Sequence, residues 1–153
     1  MIVSLADADA TRALGARIAH ALKSQRHAPA LIALSGELGA GKTTLAAGLL
    51  GALGHRGPTR SPTYTLVEPY ELDGRTLLHA DLYRLETPDD LDDLGLRDAL
   101  TGTNVVLIEW PERAAGRLGV ADVLVRLVYA NHGRDALLEV GTVHGARLVE
   151  SLG

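Results

Sequence analysis

The segment Gly36-Glu37-Leu38-Gly39-Ala40-Gly41-Lys42-Thr43 carries the most chemistry in this chain, because it fits the pattern G-x-x-x-x-G-K-[ST]. Gly36, Gly39 and Gly41 admit torsions and close approaches that a Cβ would block, so successive N–H groups can turn inward toward phosphate oxygens. Leu38, Ala40 and Thr44 complete the run of backbone amides. A helix opening at the end of the loop adds the partial positive charge of its N-terminus. Lys42 is then placed to reach the β and γ phosphates, and the Thr43 hydroxyl to ligate Mg²⁺. The predicted chemistry is binding of a purine nucleoside triphosphate, ATP with Mg²⁺, followed by hydrolysis. Seventeen glycines favour an accidental match and two lysines disfavour it; the pattern arises by chance in well under about 1% of chains this long.

Such a loop needs an acid at the end of a neighbouring strand, to hold the Mg²⁺ shell or to orient the attacking water. Two residues qualify. Asp81 follows Arg75-Thr-Leu-Leu-His-Ala80, and Glu109 follows the more apolar Asn104-Val-Val-Leu-Ile108. Lys42, Asp81 and Glu109 are the catalytic candidates, and the residues alone leave open which acid meets metal and which meets water. His79 lies two positions before Asp81, so both face the same way on a strand. A hydrogen-bonding role for His79 outweighs a metal-ligand role, because no other histidine stands at ligand spacing. Asp89, Asp90, Asp92 and Asp93 read as solvated acids at a helix start. Trp110, the only tryptophan, is divided between the core and a place over the site or against a partner. Ser61, Pro62, Thr63, Tyr64 and Thr65 join the loop helix to the next strand, where a switch segment would sense the γ-phosphate.

The elements that must position these residues follow from periodicity. Leu14, Ile18 and Leu22 recur every four residues after a cap at Asp7 or Asp9, which predicts a helix over 8–24. Ala30 to Leu34 is a short buried strand ahead of the glycine-rich loop. Leu45, Leu49, Leu50 and Leu53 share a helical face, and Gly54 stands where a glycine closes a helix. Residues 55–63 are rich in turn formers and read as irregular. Tyr64 to Glu71 and Arg75 to Ala80 flank Asp73-Gly74, which predicts a tight antiparallel hairpin. Thr87-Pro88 reads as a helix start, Asn104 to Ile108 as a buried strand and Pro111 to Leu118 as helix-like. Val123 to Tyr129 and Ala136 to Val140 form a second hairpin around Asn131-His132-Gly133. The fold class expected is α/β, a single P-loop NTPase domain spanning 1–153. Its mixed sheet has a parallel centre and antiparallel hairpins, with helices on both faces.

Composition narrows the function classes. The 153 residues are 46% hydrophobic, enough for one core. The absence of cysteine excludes disulfides, thiolate zinc sites and a cysteine nucleophile. No apolar run approaches the roughly 18 to 20 residues that cross a bilayer, so a soluble, unprocessed, cytoplasmic chain is expected. A net charge of −4 gives no overall field that attracts nucleic acid or an anionic membrane. Any role near RNA is therefore expected to run through a partner.

The ordered set GELGAGKTT, SPTYTLVEPY, HADLYRL and LIEWPE resembles the bacterial TsaE (YjeE-type) ATPase family of tRNA threonylcarbamoyladenosine biosynthesis. The likeness extends from Ala10-Thr11 and Leu14-Gly15 to Gly133-Arg134. It implies an ATPase that works with TsaB and TsaD proteins, which transfer a threonylcarbamoyl group to the adenosine beside the anticodon. Hydrolysis then keeps that complex turning over, with tRNA contacted indirectly and no membrane involved. Carried over by position, Thr43 and Glu109 become the Mg²⁺ residues and Asp81 an acid near the γ-phosphate. Thr11 and Arg134 come close to the nucleotide, and Ser61 to Thr65 form the switch.

Two other classes share the loop. A small-molecule kinase would need an acceptor pocket and an arginine-bearing lid, and only scattered arginines such as Arg56, Arg60 and Arg84 are offered. A regulatory switch would bind nucleotide with little turnover. A guanine-specific enzyme is disfavoured by the lack of an N-K-x-D segment.

Overall fold

The computed structural model describes residues 1–59 and 66–153. Among these, seven strands form one sheet flanked by three α-helices. In chain order they are β1 (Ile2–Leu5), α1 (Ala8–Ser24), β2 (Ala30–Ser35), α2 (Lys42–Ala52), β3 (Val67–Leu72) and β4 (Arg75–Asp81). There follow β5 (Val105–Glu109), β6 (Val123–Tyr129), β7 (Arg134–Val140) and α3 (Val143–Glu150). Two 3₁₀ helices occupy Pro88–Leu94 and Pro111–Ala114.

The helix ends carry their own sequence logic. Asp7 caps α1, its carboxylate accepting the Ala10 N–H at 2.8 Å, which settles the choice between Asp7 and Asp9. At the other end of α2, His55 N–H donates to Leu50 O and Gly54 N–H to Gly51 O. Gly54 lies at φ 109°. This is the Schellman pattern, and it satisfies carbonyls the helix would otherwise leave bare. The β3–β4 hairpin turns on Asp73 and Gly74 at φ 56° and 71°, the double positive φ of a type I′ turn.

Strand order is β1-β7-β6-β2-β5-β4-β3, with β6, β2, β5 and β4 mutually parallel. Antiparallel pairings of β1 with β7, β7 with β6 and β3 with β4 complete both sides. Alternation divides the core into two layers. On one face Ile32, Leu34, Leu77, Val105, Leu107, Val125 and Leu127 pack with Leu14, Ile18, Leu45, Leu49 and Leu148 of the α-helices. On the other, Leu31, Ala33, Ala80, Val106 and Ile108 meet Leu91, Leu96, Ala114 and Leu118. Helical structure thus lies on both faces, but differs in kind: α-helix on one, 3₁₀ turns and loops on the other.

Three departures from the sequence expectation stand out. The helix start at Thr87 becomes a 3₁₀ helix, although its capping box of Thr87 and Asp90 forms as such residues dictate. Pro111 to Leu118 is helical only to Ala114 and only as 3₁₀, since Ala115 and Gly116 both take positive φ. Strand β1 and helix α3 were not anticipated, being a four-residue edge strand and a helix of two turns. Tyr64 and Thr65, expected to begin β3, lie outside the described residues. Among the described residues no helix is long and apolar enough to cross a membrane.

Helices α1 and α2 cross at a glycine from each. A Cβ on Gly15 would press into the Leu45 carbonyl, and one on Gly48 into the Arg12 carbonyl. The close crossing seats α2, and with it the glycine-rich loop, on the sheet. Gly48→Ala is expected to cost about 1–3 kcal/mol of stability, more than the roughly 1 kcal/mol by which alanine favours a helix. Gly51→Ala, on the same helix with open space around its Cβ position, is expected to be neutral or stabilising. Urea unfolding of the two variants side by side checks this.

Candidate functional site

Because β2, β5 and β4 run parallel, their C-terminal ends meet at one edge of the fold, where open α/β sheets place their ligand crevices. The glycine-rich loop leaves β2 there. In register Leu34 lies opposite Glu109, and Glu109 opposite Asp81. Strand β5 is thus the immediate neighbour of the loop strand, while Asp81 stands one strand further out.

The loop returns into α2 through Gly41, in the left-handed region at φ 111° with no side-chain hydrogen bond capping the helix. The first amides of an α-helix have no partner inside it, so here they turn toward whatever enters the loop. Gly36 and Gly39 also take positive φ, 151° and 79°, which side-chain-bearing residues rarely adopt. The β6–β7 hairpin holds the loop from outside. Tyr129 Oη donates to Leu38 O at 3.0 Å and Arg134 Nη2 to Gly39 O at 3.3 Å. In a trans peptide the N–H points opposite the carbonyl. Anchoring Leu38 O on Tyr129 therefore turns the Gly39 N–H away from that hydroxyl.

Lys42 is 5% exposed. Its Nζ donates to Gly36 O at 2.5 Å and Glu37 O at 2.9 Å and lies 4.3 Å from the centre of the Trp110 ring. Burial pushes the ammonium below the usual lysine range, and the carboxylates of Glu109, Glu112 and Asp81 oppose that shift. Trp110 reaches Lys42 because its backbone is left-handed at φ 61° directly after β5. Its N–H donates to Leu34 O at 3.2 Å, and its ring packs on Tyr83 with centroids 4.9 Å apart. The indole is half-buried against the second core layer with its ring beside the Lys42 ammonium.

The two acids are placed differently. Glu109 is 2% exposed; its Oε1 accepts from the Thr43 hydroxyl at 3.2 Å and its Oε2 sits 2.7 Å from His79 Nε2. Asp81 is also buried, and its Oδ1 accepts the Tyr83 N–H at 3.0 Å. His79 therefore pairs with the acid on the next strand rather than with Asp81, its companion on β4. Thr43 and Glu109 offer hard oxygens from separate elements, the donor type that suits Mg²⁺. Among the described residues no group of three or more His, Cys, Asp or Glu could hold an ion unaided.

The cleft beside the loop is lined by Lys42, Thr43, Asp81, Tyr83, Arg84, Glu109 and Trp110. A second hollow, across the loop, brings together Asp7, Thr11, Ala40, Thr44, Gly133 and Arg134. Thr11, whose hydroxyl donates to Asp7 O at 3.2 Å, and Arg134 thus flank the loop. Ser61, Pro62, Thr63, Tyr64 and Thr65, the expected switch, lie outside the described residues. Tyr83, Glu112 and Tyr129 were not singled out from the sequence. Tyr83 had a signal, since it stands in the same short motif as Asp81, whereas Tyr129 meets the loop only through the β2–β6 pairing.

Comparison with known proteins follows the same lines. The fold matches the crystal structure of YdiB from Bacillus subtilis with a TM-score of 0.80 at 24% identity, over 99% of this chain and 93% of that one. The tRNA threonylcarbamoyladenosine biosynthesis protein TsaE of Haemophilus influenzae is 42% identical over 130 residues, 85% of this chain and 82% of its own. The protein of the same name from Streptomyces coelicolor is 46% identical over 104 residues, 66% of this chain and 67% of its own. That from Treponema pallidum is 41% identical over 107 residues, 69% of this chain and 78% of its own. A family profile described as threonylcarbamoyl adenosine biosynthesis protein TsaE spans residues 5–136, taking in the loop, both acids and Arg134, and the chain belongs to that family.

Proposed function

We propose that this protein is a Mg²⁺-dependent ATPase of the tRNA threonylcarbamoyladenosine machinery, hydrolysing ATP in the cytosol to sustain turnover of TsaB- and TsaD-type partners. The observation that carries the reading is the approach of the Thr43 hydroxyl to Glu109, 3.2 Å apart, at the uncapped start of α2 beside a buried lysine.

In this reading the amides of residues 39–44 and the Lys42 ammonium take the β and γ phosphates. Phosphate oxygens replace the Gly36 and Glu37 carbonyls as acceptors for Nζ, and a full negative charge is the stronger acceptor. Thr43 and Glu109 would hold the Mg²⁺, which when bound would supply neutralisation of the phosphate charge. Asp81 orients the attacking water. The water oxygen bonds to the γ-phosphorus as the bond to the β–γ bridging oxygen breaks, giving ADP and phosphate. Thr11 and Arg134 lie toward the nucleoside, in the hollow across the loop. Membership of the family supports the tRNA pathway, and the low net charge supports contact with tRNA through partners.

Lys42→Ala is expected to weaken ATP binding by about 100-fold, the scale of losing a buried charged donor to phosphate. Calorimetry with Mg²⁺ reads that loss, and unchanged affinity would remove Lys42 from the site. Glu109→Ala is expected to lower turnover by about 100-fold or more while nucleotide binding in EDTA persists. Normal ADP release from this variant would overturn the assignment of Glu109. The biological role is tested by following threonylcarbamoyl transfer over many cycles with both partners, tRNA and ATP. Multiple turnover is expected only when this chain is present. Sustained turnover without it, or a phosphorylated small molecule as product, contradicts the proposal.

A further inference from the structure

Strand β4 fully buries a histidine, His79, in line with the aliphatic Leu77 on the face covered by α2. Burying an imidazole is costly unless its polar atoms are bonded. Among the described residues Nδ1 has no partner, so the side chain's hydrogen bonding rests on Nε2. That atom lies 2.7 Å from Glu109 Oε2. A carboxylate oxygen accepts, so the bond has Nε2–H donating to Glu109 Oε2.

Glu109 is therefore held at both oxygens, by His79 at Oε2 and by the Thr43 hydroxyl at Oε1. Asp81 gains a donor from its own chain two residues on, the Tyr83 N–H. Glu109 depends instead on side chains from β4 and α2.

We propose that His79 is a positioning residue, which through the Nε2–Oε2 hydrogen bond fixes the Glu109 carboxylate so that Oε1 is presented to Thr43 and to a divalent cation. This rests on the reading of Thr43 and Glu109 as the cation's residues. It adds a residue from β4 to the set that determines cation affinity. A partner behind a ligand commonly alters metal affinity or activity by about 10- to 100-fold.

The test compares His79→Leu, which removes the donor, with His79→Gln, whose amide N–H reaches about as far as Nε2. Mn²⁺ uptake by the ATP-loaded protein is read by electron paramagnetic resonance, nucleotide affinity is measured in EDTA, and folding is followed by thermal melting. His79→Leu is expected to weaken Mn²⁺ uptake by about 10- to 100-fold and to raise the Mg²⁺ needed for half-maximal ADP release by a similar factor. Metal-free nucleotide affinity stays at the wild-type value, and His79→Gln recovers most of the Mn²⁺ affinity. Should His79→Leu not fold, His79→Asn, one methylene shorter than the rescuing variant, takes its place.

Wild-type Mn²⁺ affinity in the Leu or Asn variant overturns the proposal. So does a Gln variant as impaired as they are, or a loss that extends equally to metal-free nucleotide binding, which marks a purely structural role. Wild-type protein that takes up no Mn²⁺ with ATP defeats the ATPase reading itself, and this inference with it.

Discussion

Parallel pairing of β2 with β5 and of β5 with β4 is the constraint on which the site depends. It sets Leu34, Glu109 and Asp81 level across three strands, although more than seventy residues separate Leu34 from Glu109. Side chains alternate along a strand, so a slip of one residue turns every side chain to the opposite face. Slipped β5 would move Glu109 from α2 into the apolar layer of Leu91, Ala114 and Leu118, away from the Thr43 hydroxyl and His79 that it meets in the observed pairing. Strand β5 itself, buried along its whole length, says little about register, because both of its faces are apolar until its last residue. The polar end supplies the specification. Glu109 finds His79 and the Thr43 hydroxyl together only in the observed pairing.

The same geometry explains how so much charge sits out of solvent. Lys42, Asp81 and Glu109 are each at most 6% exposed, and an isolated buried charge costs several kcal/mol. None is isolated. The ammonium has two carbonyl acceptors and an aromatic face, and each carboxylate has at least one donor. The lowering of the Lys42 pKa by burial, opposed by Glu109, Glu112 and Asp81, shows both sides of this balance at one nitrogen. Desolvation that disfavours the charge also strengthens its attraction for an anion, since Coulomb interactions grow as the dielectric falls.

Much of this was legible in the sequence where the signals are local. The span of α1, the loop between β2 and α2, the glycine closing α2 and the Asp73-Gly74 turn all follow from side chains acting on backbone within a few residues. Recognition of the loop needed nothing more. Which of Asp81 and Glu109 stands beside Thr43 was not legible from local residues, because it depends on which strand neighbours β2, and strand order is a long-range property. The pairing of His79 with Glu109 escaped for the same reason: on β4 its evident companion was Asp81. Thr87-Pro88 and Pro111 do start helical turns, yet positive φ at Gly95 and at Ala115 ends them after seven and four residues. Packing over a sheet face rather than helix propensity decides such short elements.

The site is also uneven in stiffness. One half, Thr43 and Glu109, is made by buried or half-buried groups on α2 and β5, backed by His79 and by the glycine crossing of α1 and α2. Its loop half is held by Tyr129 and Arg134 through bonds on the protein surface. A solvent-exposed hydrogen bond exchanges with water and contributes about 1 kcal/mol or less, so the Leu38–Gly39 turn is the cheaper part to rearrange. Lys42 joins the halves, its stem rooted in α2 and its ammonium bonded to the carbonyls of Gly36 and Glu37. A phosphate that draws the ammonium off those carbonyls acts first on the softer side. Glu109 keeps its place, because its supports, His79 and Thr43, lie on β4 and α2 and not in the Leu38–Gly39 turn.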